Sequence, residues 1–373
     1  MTEFFLVIVI TLGLAWLMQE TYVVSPGSRL TAARNCLLWI TIFLMLALFI
    51  GLRKYYNDTY TYIVGYNGAL GFPEVLDGFS RKLGDNPGFV LLNAVFKTYD
   101  VSHHGFLLFY ASVSVGVFLY FIKRYSNNVL LSLFLLFATN TYLLSAAAVK
   151  QSIAIAIGLL GVQFALDGKW IRFAVALFIA ATFHPYVLLF ALVPFLLFRP
   201  WTSGTYFLIA GFLVAGFALE SLLGTIVDMT SMFGDSYNEE DLIGEGINIF
   251  RVLVSNASLI LTFLYRRHIF QNSSRTENLM INLAMVNGAI MFVGLFGTAI
   301  YFSRLANYFT VSQCIALPWI LSKLPTKHRQ FFTVLMVVGY TGFFLYANVM
   351  VNGFDSGFAR ITVFEYINEY MLK

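Results

Sequence analysis

The stretch LLSAAAVKQSIAIAIGLLGVQFAL, residues 143–166, holds one cation, Lys150, beside Gln151 in an almost wholly apolar run. A run of this length and composition reads as bilayer-embedded helix. A lysine inside it must find a partner, reach the interface or line water. Working outward, the same pattern recurs at Arg53 with Asp58, at His184, at Arg251 and at Arg304, each at the edge of or within a long apolar stretch. Ionisable groups at membrane depth usually face a polar cavity and serve a function. Most of these are cations, so the guest they imply is an anion.

Composition agrees with the bilayer. The 373 residues are 59% hydrophobic and 11% charged, against about 25% charged in soluble domains. The 5 tryptophans, 21 tyrosines and 39 phenylalanines suit packing and interfacial belts. The net charge of +4 is spread over short loops, which does not make a nucleic-acid surface. Cys36 and Cys314 fall inside apolar stretches and read as small buried hydrophobes. Without CxxC, HExxH or a cluster of His and Asp, no metal and no cofactor is expected. The first apolar stretch lacks a basic n-region and a cleavage site, so it reads as a retained membrane helix.

About twelve apolar stretches follow one another, making the chain all-α, a polytopic integral membrane protein of about twelve transmembrane helices. They cover residues 4–18, 36–52, 104–122, 129–146, 150–166, 171–183, 186–198, 205–222, 248–265, 278–299, 303–321 and 331–350. The sixth and seventh are short for an upright crossing at about 1.5 Å per residue. They either borrow loop residues or form a broken pair around His184-Pro185. Alternate gaps hold Arg29, Arg34, Lys123, Arg124, Lys169, Arg172, Arg199, Arg266, Arg267, Arg275, Lys323, Lys327 and Arg329, with only Glu20, Asp167 and Glu277 as acids. That set reads as cytoplasmic. Both termini then lie outside, and residues 1–373 form a single membrane domain.

The two long segments, about 53–103 and 223–247, fall on the exterior side. In the first, residues 87–99 place Phe89, Leu92 and Phe96 on one helical face, as in a helix lying in the interface. The second carries Asp228, Asp235, Glu239, Glu240, Asp241 and Glu245 and reads as a solvated loop or a lid over a cavity. The Thr139-Asn140-Thr141 step suggests an outward bend before Lys150. A helix opening near Lys150 would add backbone N–H groups and its dipole to an anion site. Arg53 and Arg251 each read either as functional or as snorkelling flank residues. His184 precedes Pro185, which stops a helix.

Several of these residues together resemble the EpsG branch of the Wzy-like polysaccharide polymerases. Gly51-Leu52-Arg53 with Asp58-Thr59-x-x-Tyr62 is similar to its first signature. Pro87-Gly88-Phe89 with Leu91-Leu92-Asn93, Lys150-Gln151-x-x-Ala154, Phe183-His184 and Arg304 with Tyr308-Phe309 follow in order. The resemblance spans roughly residues 50–310. Lys150 stands where arginine is commoner and cannot supply a bidentate fork, but it holds phosphate as a point charge.

The resemblance implies a GT-C-like membrane glycosyltransferase of the bacterial inner membrane, with its site facing the periplasm or exterior. Its substrates would be undecaprenyl-diphosphate-linked oligosaccharide and polysaccharide, with membrane lipid around it and a chain-length-regulating protein as partner. The implied reaction moves a growing glycan from its lipid diphosphate to the non-reducing end of a new repeat unit. An acceptor hydroxyl must lose a proton, and the departing diphosphate must be stabilised. On that reading Asp58 and His184 serve as acid/base groups, and Arg53, Lys150, Arg251 and Arg304 hold diphosphate. Gln151, Tyr62 and Tyr308 contact substrate. A lipid-oligosaccharide flippase and an O-antigen ligase are the alternatives. Against the flippase, no internal repeat is visible and the cations gather toward one side.

Overall fold

A computed structural model describes residues 2–24, 29–76, 86–232, 246–351 and 358–368. Among them, six helices are long and apolar enough to cross a membrane, and a bent pair supplies a seventh. The first two are α1 (Thr2–Val24) and α2 (Arg29–Gly51), which pack on each other. After β1 (Arg53–Tyr55) come three shorter helices, α3 (Thr59–Asn67), α4 (Phe72–Leu76) and α5 (Pro87–Thr98). The described part of the segment expected as a long exterior loop is therefore largely helical. Phe89 on α5 is buried and Phe96 meets Phe109 edge-on at 5.0 Å, so its apolar face turns to the protein.

The second long span, α6 (His103–Tyr125), packs on α2. The next stretch breaks where the Thr139-Asn140-Thr141 step suggests. Helices α7 (Val129–Ala138) and α8 (Thr141–Ala147) meet at 48° across Asn140, whose φ of 61° is left-handed. Asparagine tolerates that region better than other side chains with a Cβ. One residue later α9 (Val149–Leu166) begins, two-thirds of its span buried.

The sixth and seventh apolar stretches pack as a pair around His184. Helix α10 (Trp170–Ala181) has 12 residues, and a 3-10 helix (Pro185–Leu196) has another 12. Both lie against α9. At about 1.5 Å per residue α10 spans about 18 Å, well short of a bilayer core of about 30 Å. Other long apolar stretches are also interrupted. Residues 248–265 divide at Asn256 into α13 (Ile249–Ser255) and α14 (Ala257–Leu264), after α11 (Ser203–Phe217) and α12 (Leu219–Met232). Residues 303–321 divide at Tyr308-Phe309. A short helix α15 (Arg266–Ile269) leads to α16 (Arg275–Val293), and α17 (Ala299–Asn307) to α18 (Thr310–Lys323). An apolar stretch in sequence is thus not always one long helix, which is why six or seven of the stretches, among the described residues, form spans long enough to cross by themselves. Helix α12 also makes residues 223–232 helical; the acid-rich remainder, with Asp235, Glu239, Glu240, Asp241 and Glu245, lies outside the described residues.

The core forms around α9, α16 and α18. The α16 span is 83% buried, whereas α1, α2 and α19 (Thr326–Leu345) belong to spans only 28% buried, leaving apolar faces outward. Cys314 is buried as expected, but Cys36 lies exposed on α2. Beyond α19, β2 (Ala359–Arg360) pairs antiparallel with β1, with Arg53 opposite Arg360. The strand closes over the end of α2, and Arg360 binds Glu3 at 2.8 Å.

Close packing of α9 on the 3-10 helix requires a missing side chain. A Cβ at Gly158 would sit 2.5 Å from Phe190 Cδ2 and 2.9 Å from Val187 Cγ2. Gly158→Ala gains about 1 kcal/mol of helix propensity but loses about 1–3 kcal/mol to overpacking. The variant is therefore expected to unfold at a lower temperature than wild type in detergent micelles. Gly339→Ala, on α19 with nothing within 4 Å of an added Cβ, is expected to unfold at or above the wild-type temperature.

Candidate functional site

The site is assembled at the start of α9 and outward from it. Arg53 leaves the end of α2 and is 0% exposed. Its Nε donates to Thr59 Oγ1 at 2.9 Å and its Nη1 to the Ile50 carbonyl at 2.7 Å. Thr59 in turn donates to the Tyr56 carbonyl at 2.5 Å. Burial pulls the guanidinium down to about 10, opposed by the nearby Tyr62, Tyr142 and Tyr56, so it remains charged at neutral pH. Arg53 thus ties α2 to α3 instead of snorkelling or opening onto a cavity. Its Nη2 has no hydrogen-bond partner among the described residues.

That turn sets Asp58 at the N-cap of α3, following Asn57 with a φ of 45°. The Asp58 side chain makes no capping hydrogen bond and is exposed. One turn on, the Tyr62 phenol lies beside the start of α9, near Val149 and Lys150. Burial is the main cause that raises the Tyr62 phenol to about 12, with Asp58 adding to it. Helix α9 does begin beside Lys150, as expected.

Lys150 lines a cavity of about 460 Å³ with Thr61, Tyr62, Phe89 and Asn93. Its ammonium lies 5.2 Å above the Phe89 ring. Phe89 is held there because the Gly88 N–H donates to the Thr182 carbonyl at 2.9 Å. An added Cβ on Gly88 would collide with Thr182 and Phe183. The same contact brings α5 beside His184. His184 has an extended backbone between α10 and the 3-10 helix, and its Nδ1 lies 2.7 Å from the Tyr308 hydroxyl. Tyr308 is fully buried, its ring edge-on to Phe190 at 6.2 Å.

Gln151 is buried and faces away from the Lys150 cavity. Its Nε2 donates to the Arg304 carbonyl at 2.6 Å. Arg304, in the last turn of α17, is exposed. Consecutive residues of α9 therefore serve different surroundings, as a rotation of about 100° per residue requires.

Arg251 departs from the expected grouping. It lines a separate cleft with Thr139, Asn287, Asn307, Thr310 and Gln313. Asn256 ends α13 and donates to the Gly288 carbonyl at 2.9 Å, fixing α13 against α16. Arg251 therefore turns toward polar side chains inside the bundle, neither snorkelling nor joining Lys150. Sequence reading missed this polar set. Its signal was a series of amides, Asn287, Asn307 and Gln313, inside otherwise apolar stretches.

The geometry separates a tether from a cavity residue. Gln151→Ala leaves the Arg304 carbonyl without its donor and is expected to destabilise by about 1–3 kcal/mol. Lys150→Ala removes a cation–π contact of about 0.5–1 kcal/mol. Thermal unfolding in detergent should show the larger drop for Gln151→Ala; a larger drop for Lys150→Ala would reverse these assignments.

Nothing among the curated proteins or the solved structures matches the chain. The model of the EpsG family matches residues 36–367. That match covers nearly the whole chain, takes in the stretches around Arg53, Lys150, His184 and Arg304, and is consistent with a polysaccharide polymerase. The chain belongs to the EpsG family.

Proposed function

We propose that the chain is a membrane polysaccharide polymerase of the bacterial inner membrane. It transfers a growing glycan from polyprenyl diphosphate to the non-reducing end of a lipid-diphosphate-linked repeat unit on the outer face. The observation that carries this reading is a lysine at the start of a largely buried helix, lining a cavity of about 460 Å³ walled by Thr61, Tyr62, Phe89 and Asn93. Hydroxyl, amide and aromatic groups suit a sugar, and the cation suits the diphosphate that carries it. The GT-C-like architecture, the twelve crossings, a single domain over residues 1–373 and exterior termini belong to this proposal.

In the reaction an acceptor hydroxyl attacks the anomeric carbon as the bond to the lipid diphosphate breaks. Lys150 and Arg304 stabilise the departing negative charge. His184 takes the acceptor proton at Nε2 when its Nδ1–H donates to Tyr308, a tautomer the 2.7 Å contact accommodates. Asp58, exposed at the cap of α3, holds the acceptor. Tyr62 and Tyr308 shape the pocket. Arg53 and Gln151 act as positioning residues, the first through α3 and the second through the Arg304 carbonyl.

Purified protein in nanodiscs, given a matching polyprenyl-diphosphate oligosaccharide, is expected to yield a ladder of lipid-linked products. Lys150→Ala and Arg304→Ala are each expected to slow the ladder about 10²–10³-fold, and His184→Ala about 10²–10⁴-fold. Wild-type protein that yields no ladder but carries intact lipid across a vesicle membrane would be a transporter, and the proposal would fall.

A further inference from the structure

An apolar groove of about 360 Å³ lies on the outside of the bundle, between residues 253–261 of α13 and α14 and residues 332–340 of α19. Its walls are almost entirely apolar, with Leu253, Ile260 and Leu335 exposed. At one end the Tyr340 hydroxyl donates to the Val254 carbonyl at 2.6 Å. At the other end, the Tyr265 ring meets Phe332, a wall of the groove, edge-on at 5.9 Å. The Tyr265 hydroxyl there lies 2.8 Å from His328 Nδ1. That junction brings the basic residues after α14 to the basic start of α19. Arg266 is held in place, its Nη1 donating to the Phe263 carbonyl at 2.8 Å and its guanidinium 4.5 Å from the Phe263 ring centre. Arg267 and Arg329 are exposed, and neither guanidinium has an ion pair among the described residues. Between residues 253 and 340 the sequence holds one acid, Glu277, which accepts from the Ser274 N–H and the Trp319 indole N–H. Arg329 precedes Met336 by about two helical turns, which puts it on the face of α19 that walls the groove.

We propose that this groove and the arginines at its end form a site for one anionic phospholipid of the phosphatidylglycerol type. Its phosphate sits on Arg267 and Arg329, and an acyl chain lies in the groove. Charge at one end and apolar walls beyond it match the two halves of such a lipid. Arginine offers phosphate oxygens a fork of N–H donors, and basic pockets between membrane helices hold anionic headgroups in this way. Arg267 and Arg329 belong to the loops whose Lys and Arg content reads as cytoplasmic, where the leaflet surface is anionic. From Leu261 to Leu253 the groove extends about 12 Å, the rise of eight helical residues, so a chain in it runs from the interface into the hydrocarbon. The span that contains α19 is only 28% buried, and a lodged chain covers apolar surface that the protein leaves open. The lipid is thus a wedge between α14 and α19, distinct from any substrate of the Lys150 cavity. Gly339 keeps the groove open near Tyr340, since an added Cβ there would meet nothing within 4 Å.

Native mass spectrometry of the full chain, released from micelles holding equimolar dioleoylphosphatidylglycerol and dioleoylphosphatidylcholine, tests this. Wild type is expected to retain one phosphatidylglycerol, with at least a tenfold preference over phosphatidylcholine. The double variant Arg267→Gln/Arg329→Gln is expected to lose that preference. Arg172→Gln/Arg199→Gln, which removes two exposed arginines outside the groove, is expected to keep it. Gly339→Leu fills the groove and is expected to lower retention at least tenfold. The arginine variant changes exposed side chains alone, so it tests the site even where Gly339→Leu fails to fold. Equal retention of the two lipids by wild type would overturn the proposal, as would undiminished preference in Arg267→Gln/Arg329→Gln or undiminished retention in folded Gly339→Leu. Glycerophosphoglycerol, the headgroup without its chains, is expected not to displace the lipid at equal concentration. Displacement would assign the arginines to a soluble anion and overturn the proposal too. Retention needs no turnover, so this outcome is separate from that of the polymerase reading.

Discussion

A helix that starts inside an apolar bundle exposes N–H groups that no water can satisfy, and that constraint organises this protein. Helix α9 starts at Val149, one residue after α8 ends. The start of α9 at Val149 and Lys150 meets the Tyr62 phenol, delivered from α3. Delivery of Tyr62 depends on Arg53 holding the turn before α3 through Thr59. The same contact sets Lys150 at the cavity edge and turns Gln151 toward Arg304. Helix end, cavity and tether are therefore one arrangement.

Amide side chains perform the equivalent service at the other breaks. Asn256 reaches the Gly288 carbonyl, Asn282 reaches Leu196 and Phe198, and Asn348 reaches Asn140. Gln313 donates to the Val254 and Ser255 carbonyls. Asn256 sits at the break between α13 and α14, and Gln313 meets carbonyls at the end of α13. Half-length helices become tolerable in apolar surroundings when their ends find partners of this kind.

Much of the candidate site was legible. Charged residues in an apolar context are rare, and Lys150, His184, Arg251 and Arg304 stood out on that ground alone. The bend at Asn140 and the helix over residues 87–98 were readable from turn chemistry and from the spacing of Phe89, Leu92 and Phe96. Their grouping was less accessible. Arg251 and Lys150 are both cations in apolar stretches, yet they face different spaces, because the direction of a side chain depends on where its helix breaks and what its neighbours present. Arg53 looked like an anion ligand, and two of its three guanidinium nitrogens are taken by a hydroxyl and a carbonyl within the protein.

Composition and hydrophobic runs by themselves determined that the chain is helical and membrane-embedded, since only long apolar runs make lipid-facing helices and few charges can be accommodated among them. They did not determine how many runs form long spans. A run of about 18 apolar residues reads alike whether it is straight or broken, and the break is stabilised by partners distant in sequence. Tyr62 lies far from Val149 along the chain, as does Asn256 from Gly288. Only the tertiary structure brings these residues together, and with them the cavity at Lys150 and the cleft at Arg251.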